Sequence, residues 1–532
     1  VVLLLLPIIW AVGAGEHALG RRSVDLLGHL WHHWHAAREP LTTTTLVRFP
    51  EGVDLLPITG GWLDVWIGGR LVPWLGLIRA WNAVVGLLVL MAGIGGTVLA
   101  RSLGAGPHAA VVAGVLLQLD GFLLLHLAGG RTEQLGLGLV ALALAGAVRL
   151  RDPRSAAWEA LPVGVCGALL VALSWELALV TAAGLLLLAP ALLSRESLPR
   201  VGLALGTAAL LCLPGVVAFV DRAGAARSAS GAGFGTAVTE VASVGLLEWL
   251  GPHRAGPHTL SLVALLALPW TAPAAHRRLW LGLGVLLLVS LGLALGASPS
   301  LHRGGTPFWT GPTPWQLAAH LPLLSWFHWP DRLTVAWSLA APVAAALAVS
   351  RLARWRTAAG VLAGAVFLGG ALTEHVLANR GPFAEVALEP SEGTLWLADQ
   401  PGEGAVFDLP LNGRGRMSQA HLLAQLSHGR PTRAHPFLDH LVALPADPAA
   451  LALRDNGALQ WLVSVHPRAP RPSGRLDPAE LDALHGAGFD WIVLHGGVLP
   501  AEREVEVAAA LEAALGPPAQ RLPRWRAWRL GL

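Results

Sequence analysis

The chain has 532 residues, 54% of them apolar and only 13% charged, and its mean hydropathy is +0.56. A soluble domain carries about a quarter charged residues, so this deficit excludes an ordinary soluble globular protein and points to repeated passage through a bilayer. Thirty-seven basic against 34 acidic residues leave a net charge of +3, which forms no compact basic stripe and excludes a nucleic-acid-binding surface.

Every cation is arginine and tyrosine is absent. With the excess of alanine, glycine, leucine and proline, this reflects a GC-rich bacterial genome. Cys166 and Cys212 both lie in apolar runs with no CxxC pair, which argues against a disulfide framework or a thiolate metal site.

The first apolar run begins at Val1 rather than a methionine, which points to a non-standard start codon or a clipped N-terminus. Read instead as a cleaved signal peptide, the run would lack the basic region such peptides carry. A polar segment, Val24-Asp25-Leu26-Leu27-Gly28-His29-Leu30-Trp31-His32-His33-Trp34-His35, follows. Asp25 has two readings: a general base at the membrane–water boundary, or an acid capping the helix that begins at Leu26. His29 and His33, like His32 and His35, share a helical face at a spacing that can hold zinc. With no HExxH pattern and no acid completing a signature, neutral packing imidazoles are expected instead, and no metal. Phe49-Pro50-Glu51-Gly52-Val53-Asp54 reads as a turn. Asp54, or Asp64 in Gly60-Gly61-Trp62-Leu63-Asp64, is the candidate second carboxylate.

Eleven apolar runs lie near residues 1–15, 80–100, 108–128, 133–149, 160–174, 176–193, 201–220, 259–273, 278–297, 333–350 and 358–377. The block from Leu161 to Leu193 is too long for one span and is interrupted by Ser174-Trp175-Glu176, which predicts two short helices meeting at a polar turn. An isolated Glu176 inside a membrane would be expensive. Between the third and fourth runs, His126 and Gly129-Gly130-Arg131-Thr132-Glu133-Gln134 offer a phosphate-pairing arginine with an acid to orient it. The same residues would also serve simply to turn the chain. In Phe327-His328-Trp329-Pro330-Asp331-Arg332, Arg332 either grips a lipid phosphate or snorkels to the interface. Glycine-rich runs within spans read as helix packing.

Arginines gather at Arg101, at Arg149, Arg151 and Arg154, at Arg195 and Arg200, at Arg277 and Arg278, and at Arg351, Arg354 and Arg356. With eleven spans and a cytoplasmic N-terminus, all five groups fall on the cytoplasmic side. The long connections at 16–79, 221–258 and 298–332, and the tail from about 379, then lie outside. The expected domains are a multi-span region over 1–378 and a soluble extracytoplasmic α/β region over 379–532. Within the tail, Ala405–Pro410, Leu459–Val465 and Phe489–Leu494 read as strands. Asp477 to His485 and Glu502 to Leu515 read as helices, the first opened by Asp477-Pro478-Ala479-Glu480.

Taken together, Asp25-Leu-Leu-Gly-His-Leu-Trp after the first run, Phe49-Pro50-x-Gly52, Ala80-Trp81-Asn82, His126 with Gly130-Arg131-x-Glu133, Leu321-Pro322-x-x-x-Trp326-Phe327-x-x-Pro330-x-Arg332, and the tail's Phe407-Asp408-Leu409-Pro410 and Gly488-Phe489-Asp490-Trp491-Ile492-Val493 resemble the GT-C superfamily of polytopic glycosyltransferases. The resemblance is closest to bacterial members that use polyprenyl-phosphate sugars, and it runs over nearly the whole chain through short motifs. It implies an α-helical polytopic membrane protein of about eleven transmembrane helices with an extracytoplasmic C-terminal α/β domain, in the bacterial inner membrane. It further implies transfer of a sugar from a polyprenyl-phosphate donor to an exported lipid, polysaccharide or protein, with Asp25 as base. On this reading Arg131 and Arg332 lie at the donor phosphate, Asp54, Asp64, His126 and Glu133 elsewhere in the substrate site, and the lipid-linked donor is a substrate rather than a cofactor. The family often pairs two acids in the first loop, whereas here Asp25 stands alone in its segment. A non-catalytic scaffold of the same fold, or a transporter of lipid-linked sugars, are the rival readings.

Overall fold

The computed structural model describes residues 2–40, 42–55, 61–230, 257–271, 277–302, 306–320, 330–377, 385–411, 416–433, 442–443, 455–466 and 475–531, with the single positions 246, 273 and 453. The Leu321–Trp329 part of the last membrane-proximal motif, and most of the connection at 221–258, lie outside the described residues. Contacts divide the chain into two compact units, one from Val1–Arg21, Gly60–Ala218 and Ala232–Val386, the other from Arg22–Thr59, Phe219–Gly231 and Ala387–Leu532. The hydropathy boundary at 378/379 puts residues 22–59 with the spans; by contacts they group with the C-terminal residues.

Each of the eleven apolar runs coincides with helix in the first unit. Among the described residues seven helices are long and apolar enough to cross a membrane: Leu77–Ser102, Pro107–Gly129, Thr132–Leu150, Trp175–Leu192, Leu198–Ala218, Pro330–Trp355 and Thr357–His375. Leu4–Gly13, Ala157–Leu173 and Arg278–Ala294 are shorter apolar helices. The expected break at Ser174 is present: helices Ala160–Leu173 and Trp175–Leu192 meet there, and the Ser174 hydroxyl accepts from Leu177 N at 3.3 Å. Glycine sets the tightest packing, as expected. A Cβ on Gly95 would lie 2.4 Å from Gly138 O, and one on Gly138 would lie 2.3 Å from Met91 O, so backbones touch where side chains would hold them apart.

The helix ends bearing arginine are tied together. Gly106 N donates to Ser350 Oγ at 2.7 Å, and Arg200 donates to Ser155 O at 2.8 Å. The opposite ends carry other polar groups. There Asn82 accepts from Leu19 N and donates to His17 O, both at 2.9 Å, while Trp81 Nε1 donates to Leu19 O. Ala80-Trp81-Asn82 thus satisfies the backbone of a short strand, Ala18–Leu19, which pairs antiparallel with Glu385–Val386.

The second unit is built on a four-stranded sheet in the order Ala405–Leu409, Phe489–His495, Trp525–Arg529, Gln520–Leu522, its first pair parallel and the rest antiparallel. Phe407, Leu409, Phe489, Ile492, Leu494 and Trp528 are buried, with Leu481, Leu484, Val507 and Leu511 of helices Pro478–Gly486 and Ala501–Leu515 packed in the same core. The Asp477 side chain caps the first of these helices at Ala479 N, 2.9 Å away, as its sequence predicts. The apolar run 459–465 is not a strand but part of helix Gly457–Ser464. Asn456 Oδ1 accepts from Leu459 N at 2.7 Å, and Ala458, Leu459, Trp461 and Leu462 are buried at a helical period.

Residues 22–59 complete this unit. Helix Val24–Ala36 buries Leu26, Leu27, Leu30, Trp31 and Trp34, and Trp31 Nε1 donates to Gln425 Oε1 of helix Arg416–His428 at 2.8 Å. The ring of Phe49 meets Phe489 edge-on at 5.1 Å, and Glu51 pairs with Arg433. Phe49-Pro50-x-Gly52 is therefore a plug in the sheet's core, with Gly52 supplying the positive φ of 72°.

Candidate functional site

In the first unit the residues expected at a phosphate site converge on one short 3-10 turn, Thr132–Leu135. Gly130, in the left-handed region at φ 76°, ends helix Gly121–Gly129 and aims the chain into that turn, with Arg131 at its head. Three successive residues then reach three other elements. The Thr132 hydroxyl donates to Asp64 Oδ2 in the first turn of helix Leu63–Leu75. Glu133 Oε1 lies 3.9 Å from Arg332 Nη2, and Gln134 Nε2 donates to Glu176 Oε2 at 3.1 Å. Arg332 pairs in turn with Glu176.

Asp64, Thr132, Gln134, Glu176 and Arg332 are all buried. Two carboxylates flank the one guanidinium, so the charges that would be prohibitive singly are paired. Glu176 is thereby explained: it faces Arg332, in the first turn of its helix where the macrodipole favours an acid. His126 is buried one turn before the Gly129-Gly130 corner, packed on Phe122 at 4.3 Å between ring centres. Of the expected residues, the structure brings Asp64, Glu133 and Arg332 into one cluster with Arg131 at its edge. Glu176 joins it, a residue that the sequence marked as costly but not as part of a site.

The same unit holds an apolar cavity of about 400 Å³. Val140, Leu144, Val180, Gly184, Leu286 and Leu333 are among the residues that line it. Leu333 follows Arg332 directly, and Val180 sits one turn beyond Glu176, so the cavity abuts the charged cluster.

Asp25 and Asp54 belong to the second unit. Asp25 does not cap its helix: Ser23 does, its hydroxyl accepting from Leu26 N at 3.0 Å. The carboxylate sits one residue inside the helix, partly exposed, in the first turn. Asp54 lies in a short strand between Thr43 and Val442. The histidines of the same helix are packing groups. His33 and His35 are fully buried, and burial, reinforced by His29, pushes His33 down to about 3, so its imidazole is neutral.

A second cluster in this unit escaped sequence reasoning. Asp408 lies within the all-buried strand Ala405–Leu409, His495 closes the neighbouring strand, and His421 belongs to helix Arg416–His428. His495 Nε2 lies 2.8 Å from Asp408 Oδ1, the Thr432 hydroxyl donates to Asp408 Oδ2 at 2.8 Å, and the His421 and His495 rings are 5.3 Å apart. Burial, the largest single influence, opposes ionisation of Asp408, but the hydrogen bond from His495 and the electrostatic pull of His421, His495 and His428 together outweigh it and hold the carboxyl below the usual carboxylate range. Burial pushes His421 and His428 down to about 4 against the pull of Asp408. The signal in the sequence is a polar residue near the end of each of two largely apolar strands, Asp408 and His495.

No family model and no curated protein matches this chain. Solved structures do. Arabinofuranosyltransferase AftD from Mycobacteria aligns with 100% of this chain at a TM-score of 0.64 and 16% identity, and the chain spans 40% of that protein's length. ArnT from Cupriavidus metallidurans, bound to undecaprenyl phosphate, aligns with 99% of this chain and 97% of its own at 0.52 and 12% identity. The oligosaccharyltransferase AglB from Archaeoglobus fulgidus, in complex with an inhibitory peptide and a dolichol-phosphate, aligns with 93% of this chain and 69% of its own at 0.50 and 11% identity. These are GT-C glycosyltransferases of membranes, and at such identities the likeness is one of fold.

Proposed function

We propose that this protein is a multi-pass membrane glycosyltransferase that moves a sugar from a polyprenyl-phosphate donor to an exported acceptor. The observation that carries the reading is a buried cluster of one arginine and two glutamates whose chain neighbour Leu333 lines an apolar cavity of about 400 Å³, within a GT-C fold. The cavity suits a polyprenyl tail, and the polar 132–135 turn suits the phosphate. Arg332, braced by Glu133 and Glu176, holds the 132–135 turn in place, and Arg131 at the head of that turn meets the phosphate oxygens. Asp64 fixes the same turn through Thr132.

In the proposed reaction Asp25 takes the proton of the acceptor hydroxyl as its oxygen bonds to the anomeric carbon. The sugar–phosphate bond breaks, its electron pair leaves with the polyprenyl phosphate, and the anomeric centre inverts. No cofactor beyond the lipid-linked sugar is called for. Asp54 and His126 are assigned to the surroundings of the substrate. The grouping of arginines at one set of helix ends supports about eleven spans, with those ends in the cytoplasm and the C-terminal α/β region outside. The membrane proposed is the bacterial inner membrane, as the family resemblance implies.

The test is Asp25→Asn in cells that accumulate the glycoconjugate. Loss of product by about 10²–10⁴-fold, at unchanged membrane levels of the protein, is expected for removal of a general base. A silent Asp25→Asn combined with loss of product on removing the C-terminal region would replace this reading with that of a scaffold.

A further inference from the structure

Asp408, His421 and His495 come from two strands and a helix, yet they converge inside the second unit, all three buried. One ligand-type atom from each lies within 4.8 Å of the other two. In a tetrahedral site with bonds of about 2.0–2.2 Å, neighbouring ligand atoms sit roughly 3.4 Å apart. Small side-chain adjustments therefore suffice to close the trio on one ion.

Two further observations point to a ligand. His421 Nε2 is buried and makes no hydrogen bond, although the residue is only 3% exposed. A polar atom withdrawn from water with nothing in exchange is destabilising, and a bound cation removes that penalty. The Thr432 hydroxyl meanwhile occupies Asp408 Oδ2 at 2.8 Å, which turns Oδ1 toward the imidazoles. Ligating carboxylates are commonly held by such an outer hydrogen bond. The 2.8 Å contact between Asp408 Oδ1 and His495 Nε2 is one that a shared proton bridges, and a cation can take that proton's place.

We propose that Asp408, His421 and His495 bind one zinc-class divalent cation. Two imidazole nitrogens and one carboxylate oxygen suit a borderline ion such as Zn²⁺, whereas Mg²⁺ and Ca²⁺ take oxygen ligands. Three protein ligands leave a fourth position for water. The ion joins the parallel strands Ala405–Leu409 and Phe489–His495 to helix Arg416–His428. One turn after His421, that helix carries Gln425, the partner of Trp31. The inference does not depend on the glycosyltransferase reading.

The experiment uses full-length protein in detergent, on an affinity tag without histidine, stripped with a chelator and re-equilibrated with Zn²⁺. One zinc per chain is expected by elemental mass spectrometry, and Co²⁺ in its place is expected to give the visible bands of a tetrahedral N/O site. Thr432→Val keeps all three ligands and is expected to weaken Zn²⁺ binding about 10–100-fold, while His421→Gln abolishes stoichiometric binding. Wild-type protein that holds no stoichiometric zinc and shows no cobalt bands overturns the proposal. So does a His421→Gln variant that still holds one zinc. Should His421→Gln fail to fold, the wild-type cobalt spectrum and Thr432→Val decide.

Discussion

Ser23 and Asp25 divide two roles that the sequence offered to one residue. Ser23 satisfies the free backbone N–H at the head of the helix, and Asp25 sits in the first turn behind it. The histidines that follow were legible as packing because they are interspersed with tryptophan and leucine in one short helical run. They carry a pH dependence. His33 titrates near 3 in the folded chain against 6.5 when free. Above pH 6.5 neither folded nor unfolded chain protonates it, so its contribution is fully present. As pH falls from 6.5 toward 3, the unfolded chain takes up a proton that the folded chain refuses, and stability drops. The thermal midpoint of wild type is thus expected to fall between pH 7 and pH 5, and that of His33→Leu to fall less. An equal fall in both would remove His33 as the cause. Asp408, His421 and His495 were illegible at this scale: 87 residues separate the contacting Asp408 and His495, and only the parallel strand pairing brings them together.

At the scale of elements, hydropathy predicted helices better than it predicted what joins them. Each long apolar run became a helix because 3.6-residue periodicity needs no information from elsewhere in the chain. The run at 459–465 misled because a short buried strand and a short buried helix share the same apolar content. Asn456, a capping residue three positions before Leu459, was the available signal. Glycine positions make the packing testable. Gly138→Val would drive a side chain into the backbone of Met91, and overpacking of this kind costs about 1–3 kcal/mol or more. Loss of the folded peak in fluorescence-detected size-exclusion chromatography is expected. Gly202→Ala meets nothing within 4 Å and should leave the peak intact. Two intact peaks would mean that the helices around Gly138 have room to separate.

For the whole molecule, the GT-C fold was legible from short motifs spread along the chain, but the composition of the second unit was not. Hydropathy places residues 22–59 between spans; only the folded contacts show them built into the C-terminal unit. A chain ended after Val386 keeps the long helices of the first unit and loses Gln425, Arg433 and Phe489, the partners of Trp31, Glu51 and Phe49. Such a truncation is expected to reach the membrane yet expose residues 22–59 to protease, with product lost as in Asp25→Asn. Resistance of that segment in the truncated protein would show that it folds unaided. The same architecture sets a timetable for biosynthesis. Trp31 and Gln425 are 394 residues apart. At roughly 5–20 residues per second, a ribosome needs roughly 20–80 s to deliver the second after the first. Throughout that interval the helix bearing Asp25 has its leucines and tryptophans but not yet the surface that covers them. A nascent chain so arranged has reason to keep a chaperone close until that surface is in place.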